Sequence, residues 1–271
     1  MLYETPVHRP LGDLAMAVEV SDELHVEHSF RIFALDLSLK DDPLPGVTET
    51  VPTHRTLGVI FDPFVTSYRE LSDALREREP ELAGLSELPS RLVEIPIWYD
   101  DPWSQECARQ HNVPSNMDYL ADINDTTVQG VIDWHIGREH WVSAVGFQPS
   151  TYQAIPLDAS QVISAPKYER PRKTTPAGIV CFAGQITSYY PIESPGGYQL
   201  LGRTPLELYD PEQRLPNFKD GPVLPKVGDR HRYVSIGEDE YHELRARVEE
   251  GIHEYRMEEG VCRLDAYPEA A

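Results

Sequence analysis

Hydrophobic and polar positions change their period several times along the first third of the chain. Leu14, Met16, Val18 and Val20 alternate with Ala15, Ala17 and Glu19, which predicts a half-buried strand. Ser21-Asp22 then offers an N-cap, and Val26, Phe30, Phe33, Ala34 and Leu37 recur at helical spacing until Pro43-Leu-Pro-Gly46 stops the helix. Strand-like runs follow at 47–54 and 56–62. Ser67-Tyr-Arg-Glu70 is a capping box opening a second helix that turns Leu71, Ala74 and Leu75 inward. Residues 91–98 read as a strand, with Pro96 suggesting an edge or a strand end. The order β-α-β-β-α-β predicts a ferredoxin-like domain. Within it, Asp13 after Gly12 reads as a turn-former, and His25 and His28 fall on the polar side of the first helix as solvated groups.

The pattern weakens after residue 100. Asp100-Asp101-Pro102 predicts a turn and 103–111 a short helix, whereas 113–125 forms a longer connection than usual. A lid, a docking surface and a solvated loop are all open readings of that segment. A helix over 128–135 ends at His135, either a satisfied core histidine or a ligand contact. His140 stands five residues on, so no i, i+4 helical metal pair forms. From Trp141 the chain becomes short β-like runs (142–147, 161–164, 178–182, 198–201, 206–209 and 230–236) separated by Pro and Gly, which predict a barrel or sandwich. Ser235-Ile-Gly-Glu238 is a second capping box, ahead of Tyr241, Leu244, Val248, Ile252 and Tyr255 at helical intervals. The fold class is α+β, in four segments: 1–98, a helical connector at 99–140, 141–236, and a C-terminal helix and tail at 237–271.

Composition excludes several functions. The chain carries 45 acidic against 24 basic residues, a formal charge of −21. Nucleic acid and anionic membranes are thus expected not to be partners, since both need basic patches. Solubility is the simplest reason for such a surface. Three cysteines (Cys107, Cys181, Cys262) without Cys-x-x-Cys spacing argue against a disulfide framework or a zinc site. The N-terminal residues lack the pattern of a signal peptide, and no apolar run approaches the ~18 residues of a membrane span. Cytoplasmic localisation is expected.

The stretch 176–205 is the densest in signals. It reads Pro176-Ala-Gly-Ile-Val-Cys-Phe-Ala-Gly184-Gln185, then Tyr190-Pro-Ile-Glu193-Ser-Pro-Gly196-Gly197-Tyr-Gln-Leu-Leu-Gly-Arg203-Thr-Pro205. Proline and glycine at this density predict stiff, repeatedly bent backbone with uncovered N–H groups. Tight hairpins of an all-β domain account for it without any ligand. The order Pro-Ala-Gly, hydrophobic strand, Ala-Gly, then Tyr-Pro-x-Glu-Ser-Pro-Gly-Gly-aromatic-Gln-Leu-x-Gly-Arg-Thr-Pro nevertheless resembles the signature of the allophanate hydrolase subunit 1 family. That family includes the B component of 5-oxoprolinase, part of the carboxyltransferase domain of urea carboxylase, and an inhibitor of a sporulation histidine kinase.

The resemblance implies a ferredoxin-like domain followed by a cyclophilin-like β-barrel. It also implies a site shared with a partner like allophanate hydrolase subunit 2 or the C component of 5-oxoprolinase, and possible association with a biotin carboxylase and biotin carrier. ATP or biotin would then be held by the partner subunits and no cofactor by this chain. The chemistry implied is ATP-dependent opening of an amide or lactam, or carboxyl transfer from carboxybiotin to a urea-like compound. Regulatory binding of the kinase-inhibitor type and a non-catalytic place in a carboxylase are the rival readings. Gln185, Tyr190, Glu193 and His135 are the candidate catalytic residues. Gly146, Phe147, Gln148, Arg172, Lys173, Gly184, Gly196, Gly197 and Arg203 are the candidate substrate contacts, and no metal ligands are expected. Glu193 serves as a base or a backbone clamp; Arg172, Lys173 and Arg203 bind an anion or form surface ion pairs. No persuasive nucleophile–base set is present.

Two loops depart from the family pattern. Gly146-Phe-Gln-Pro-Ser150-Thr-Tyr152 stands where the family has Gly-Phe-x-Pro-Gly-Phe. Ala183-Gly184-Gln185-Ile186-Thr-Ser-Tyr-Tyr190 stands where it has Gly-Gly-Gln-Thr-Gly-x-Tyr, so the glutamine is displaced by one position or replaced by Ile186. Lost glycines predict a different backbone path and a reshaped pocket, which argues against 5-oxoproline itself as substrate.

Overall fold

The structure is a computed structural model describing residues 2–82 and 84–267. The chain separates into two units, one of residues up to Pro89 with Val261–Ala266, the other of Ser90–Gly260 with Tyr267. The first holds strands β1 (Leu2–Pro10), β2 (Ala15–Ser21), β3 (Val47–Pro52) and β4 (Thr56–Phe61), with helices α1 (Val26–Asp41) and α2 (Tyr68–Leu82). Its sheet is antiparallel in the order β1-β2-β4-β3. Met16, Val18 and Val20 are buried as their alternation predicts, with Ile32, Leu35, Leu71 and Leu75 from the helices against them. Leu14, by contrast, is exposed, because it falls in the β1–β2 turn.

Several local expectations need correction. The capping box at Ser67 forms: the Glu70 carboxylate accepts from Ser67 N–H at 2.9 Å, and Ser67 Oγ accepts from Glu70 N–H at 3.3 Å. The first helix instead begins after His25, because Ser21 Oγ accepts from Glu23 N–H and closes a local turn. His28 is buried rather than solvated, its Nδ1 3.1 Å from the Glu23 carbonyl. Residues 91–98 do not complete the four-stranded sheet. The place beside β2 that a ferredoxin-like fourth strand would take is filled by β1, and 91–98 belongs to the barrel.

That barrel is the second unit. It comprises β5 (Glu87–Tyr99, from Ser90 on), β6 (Glu139–Val145), β7 (Tyr152–Pro156), β9 (Ile179–Ala183), β10 (Ile186–Tyr190), β12 (Gln199–Arg203) and β13 (Arg230–Ser235). The strand order β12-β9-β10-β7-β6-β13-β5 closes on itself through β12–β5, giving seven strands. Only β5–β13 is parallel among these pairings. Pro96 therefore lies in a paired barrel strand, opposite Val234. A small ribbon pairs β8 (Arg172–Thr175) with β11 (Ser194–Gly196), and β14 (Met257–Arg263) lies beside β5. Runs 161–164 and 206–209 form no strand.

Helices α3 (Pro102–Gln110), α4 (Asn116–Ile123), α5 (Val128–Ile136) and α6 (Glu238–Glu249) complete this unit. Segment 113–125 is thus not a solvated loop. Ser115 caps α4, and Met117, Leu120 and Ala121 enter the barrel core. The second expected capping box does not form, because Ser235 ends β13 and Gly237 caps α6 without a side-chain bond. No helix among the described residues is long and apolar enough to cross a membrane.

Candidate functional site

The barrel interior and the surface beside it treat their polar groups differently. Inside, His135 is fully buried, with Nδ1 2.6 Å from the Tyr99 hydroxyl and Nε2 2.9 Å from Thr187 Oγ1. Its ring stacks on Tyr233 at 4.2 Å. Burial, reinforced by His140 and Arg138, holds its pKa well below the ordinary histidine value, so the imidazole is neutral. Both nitrogens are taken and no surface reaches it. The structure thus places His135 as a satisfied core histidine.

Beside the barrel lies a cavity of about 500 Å³. Phe147 and Gln148 of the β6–β7 loop form one side, and Tyr190 of β10 the floor with Cys181 and Ser188. Gly196, Gly197 and Tyr198 supply another side, and Lys167, Tyr168 and Pro171 close it. The structure thus brings Phe147, Gln148, Tyr190, Gly196 and Gly197 together. Burial pushes the Tyr190 phenol up to about 12, against the pull of Arg172. The same cause raises Cys181, Tyr168 and Tyr198. At neutral pH these walls are therefore neutral phenols and a thiol, the Tyr168 hydroxyl already donating to Asn116; they provide no thiolate or phenolate nucleophile.

Gly196 has a specific task here. A β-carbon on it would fall onto the Tyr190 hydroxyl and the near edge of its ring. Gly196→Ala is expected to drive the Tyr190 ring out of its seat, reshaping the floor at a stability cost of about 1 kcal/mol. A crystal structure and melting curve of the variant check this; an unmoved Tyr190 would refute it.

The altered β6–β7 loop keeps more of the glycine-type path than its sequence suggests. Ser150 stands at φ +64°, left-handed without a glycine, with its side chain buried. Phe147 is also left-handed, at φ +72°, and 92 % exposed on the cavity rim. The expectation that losing glycine bars positive φ is therefore corrected at Ser150, where the chain holds a conformation that disfavours a side chain.

Other candidates lie elsewhere. Gly146 opens the same loop without lining the cavity. Gly184 and Gln185 make the β9–β10 turn, where Gly184 pairs with Ala165, and Glu193 is exposed on the β10–β11 connection. Arg203 stacks on Trp103 at 4.6 Å and lines a separate recess with Tyr241 and Arg245. Lys173 is exposed and faces a second cavity of about 950 Å³ that shares Lys167, Tyr168 and Pro171 with the first. Arg172 is 1 % exposed: its Nε donates to Thr175 Oγ1 (3.2 Å), its Nη2 to the Tyr198 carbonyl (2.7 Å), and it packs 4.6 Å from the Tyr168 ring. Sequence reasoning missed Lys167, Tyr168 and Tyr198. The available signal was Lys167-Tyr-Glu-Arg-Pro-Arg-Lys173, a basic run in an acidic chain. Among the described residues, no group of three or more His, Cys, Asp or Glu is arranged to hold a metal.

Comparison with known proteins agrees with this architecture. The B component of the 5-oxoprolinase of Bacillus subtilis is 31% identical over 245 residues, covering 86% of this chain and 93% of that protein. The urea amidolyase of Saccharomyces cerevisiae is 26% identical over 96% of this chain, which spans only 15% of that protein. The crystal structure of the K. lactis urea amidolyase matches with a TM-score of 0.85 over 97% of this chain and 17% of that one; at 24% identity the likeness speaks to fold. Residues 6–219 match the family described as carboxyltransferase domain, subdomain C and D. With that match over most of its length, the chain belongs to the carboxyltransferase-domain family.

Proposed function

We propose that this chain is one subunit or domain of an ATP-dependent amide-hydrolysing or carboxyl-transferring assembly, and that the cavity at Tyr190 is its share of the active site. The observation that carries the reading is the cavity's chemistry. Signature residues Tyr190, Gly196 and Gly197 meet Phe147 and Gln148 around a space whose phenol and thiol walls are neutral, with Lys167 also on its lining, and which lacks a nucleophile–base pair. Such a surface binds and polarises an amide, lactam or urea carbonyl; it does not cleave one unaided. The remaining machinery, with ATP or carboxybiotin, belongs on an allophanate hydrolase subunit 2-like partner and its associates. The relatives, a 5-oxoprolinase component and urea amidolyase, support this class of reaction.

Reconstitution tests it. The chain alone is expected to be inert, and the complex with a subunit 2-like partner to hydrolyse ATP when given a lactam or urea from a small panel. Turnover by the chain alone, or failure to bind such a partner, would overturn the reading.

A further inference from the structure

Arg172 departs from the usual handling of a buried guanidinium. Buried charges are normally paired, because removing a guanidinium from water costs several kcal/mol. Arg91, also largely buried, shows the usual solution, with Nε and Nη2 on the two oxygens of Asp229 at 2.8 and 2.6 Å. Arg172 is 1 % exposed and its protein partners are the neutral Thr175, Tyr198 carbonyl and Tyr168 ring. No carboxylate of the described residues lies within ion-pair distance of it, and Nη1 is buried without a hydrogen-bond partner. Acids are not scarce in a chain with 45 of them.

Two more unpartnered polar atoms are tied to the same place. Asn116 accepts the Tyr168 hydroxyl at 2.6 Å and the Leu200 N–H at 3.0 Å through Oδ1, which leaves its buried Nδ2 without a partner. Ser194 stands opposite Thr175 in the β8–β11 ribbon, and its buried Oγ also lacks one. Tyr168 and Tyr198, the groups that touch the guanidinium, are themselves walls of the Tyr190 cavity. Gly196, another wall, pairs with Arg172 across the ribbon. A second cation, Lys167, lines the cavity with Nζ 4.8 Å from the Tyr198 ring.

We infer that Arg172, with Lys167 and the neighbouring Asn116 and Ser194, forms an anion subsite of this cavity that takes the carboxylate of a small organic acid. The guanidinium packs against the Tyr168 ring and keeps its Nη1 without a partner, an N–H edge with which a flat carboxylate pairs well. The cavity of about 500 Å³ has Phe147, Pro195 and Tyr198 to hold a small apolar body. Because the donor is buried, binding requires the side chains between it and the cavity to shift. The inference deepens the proposed function by naming a feature of the ligand, but its test does not pass through turnover.

All of the subsite residues belong to this chain, so the full chain by itself must bind. Acetate, bicarbonate and inorganic phosphate are titrated at constant ionic strength against chloride, read by NMR shifts and by melting temperature. Acetate is expected to saturate and to raise the melting temperature beyond chloride. Arg172→Met is expected to weaken acetate at least tenfold and, without acetate, to melt no lower than the unsubstituted chain, since it deletes an unpaired buried charge. A purely structural arginine predicts the reverse: a lower melting temperature and no acetate effect in either protein. Should Arg172→Met not fold, the exposed Lys167→Met decides, with about threefold weaker acetate binding expected and an unchanged affinity overturning the assignment. No saturable response, or phosphate or bicarbonate bound in preference to acetate, also overturns it. Acetate binding without ATP turnover in the reconstituted complex would sink the amide-hydrolysing reading alone.

Discussion

Replacing Gly202 with alanine is expected to open the barrel. Gly202 sits where β12 meets β5, opposite Tyr99, and this pairing turns an open sheet into a closed one. A β-carbon there would collide with the Trp98 carbonyl oxygen and come within 2.7 Å of Tyr99 Cα and 2.9 Å of Ile97 Cγ2. Two of those atoms are backbone of the facing strand, so no rotamer change relieves the clash. Either the strands part, with loss of hydrogen bonds such as Asp100 N–H to the Leu201 carbonyl, or the variant stays strained. Overpacking in a relaxed core costs about 1–3 kcal/mol, and a backbone clash at a seam belongs at the top of that range or above it. The expected loss is about 3 kcal/mol, a fall in melting temperature of roughly 10 °C for a domain of this size. Gly146→Ala is the control, since a β-carbon at Gly146 meets nothing within 4 Å; it is expected to stay within about 0.5 kcal/mol of the original. Urea unfolding of both variants measures the difference, and equal stability would show that the seam tolerates a side chain.

The same glycine shows how far the sequence could be read. Its surrounding signature was legible as bent, stiff backbone, and it led to the family and to several walls of the cavity. What the signature did not reveal is that its glycines do different jobs. Gly196 makes room for the Tyr190 phenol, Gly178 holds a left-handed turn at φ +83°, and Gly202 admits a neighbouring strand. Each is a glycine beside hydrophobic residues in one dimension; the partner that explains it lies a strand away. Distance in sequence hid β5 for the same reason. Residues 91–98 read correctly as a strand, but strand pairing is a tertiary choice, and β1 had already filled the expected place. The insertion at 113–125 misled through length alone, although Met117, Leu120 and Ala121 carry the i, i+3, i+4 spacing of a helix that packs. Arg172 stood out as a basic residue, but only the fold could show that no acid accompanies it.

Acidification is expected to begin destabilising the barrel at a pH where its carboxylates are still largely ionised. His135, His140 and His231 are fully or almost fully buried in it. Burial holds His140 and His231 at about 3 and His135 well below its ordinary value. The groups facing them are neutral or cationic: the Trp134 and Tyr233 rings, Tyr99, Tyr152, and the charges of Arg138 and Arg91. In the unfolded chain each histidine titrates near 6.5. Below that pH the unfolded state binds protons that the folded state refuses, so stability is complete above about 6.5 and falls as the pH drops toward 3. Each histidine contributes a slope of about 1.4 kcal/mol per pH unit, and three give about 4. A domain stable by about 5–15 kcal/mol would then unfold roughly 1–4 units below 6.5, between about pH 5 and about pH 3. Burial raises Asp101 and Asp229, which bind protons more readily when folded and offset part of the loss. Easing the repulsion of a −21 chain acts in the same stabilising direction, so a steep loss would point to the histidines. Urea titrations between pH 7.5 and 5 measure the slope. His140→Phe, which keeps an aromatic ring against Trp134, His135 and Tyr233, is expected to reduce it by about one proton; an unchanged slope would mean that the buried imidazoles do not govern acid stability.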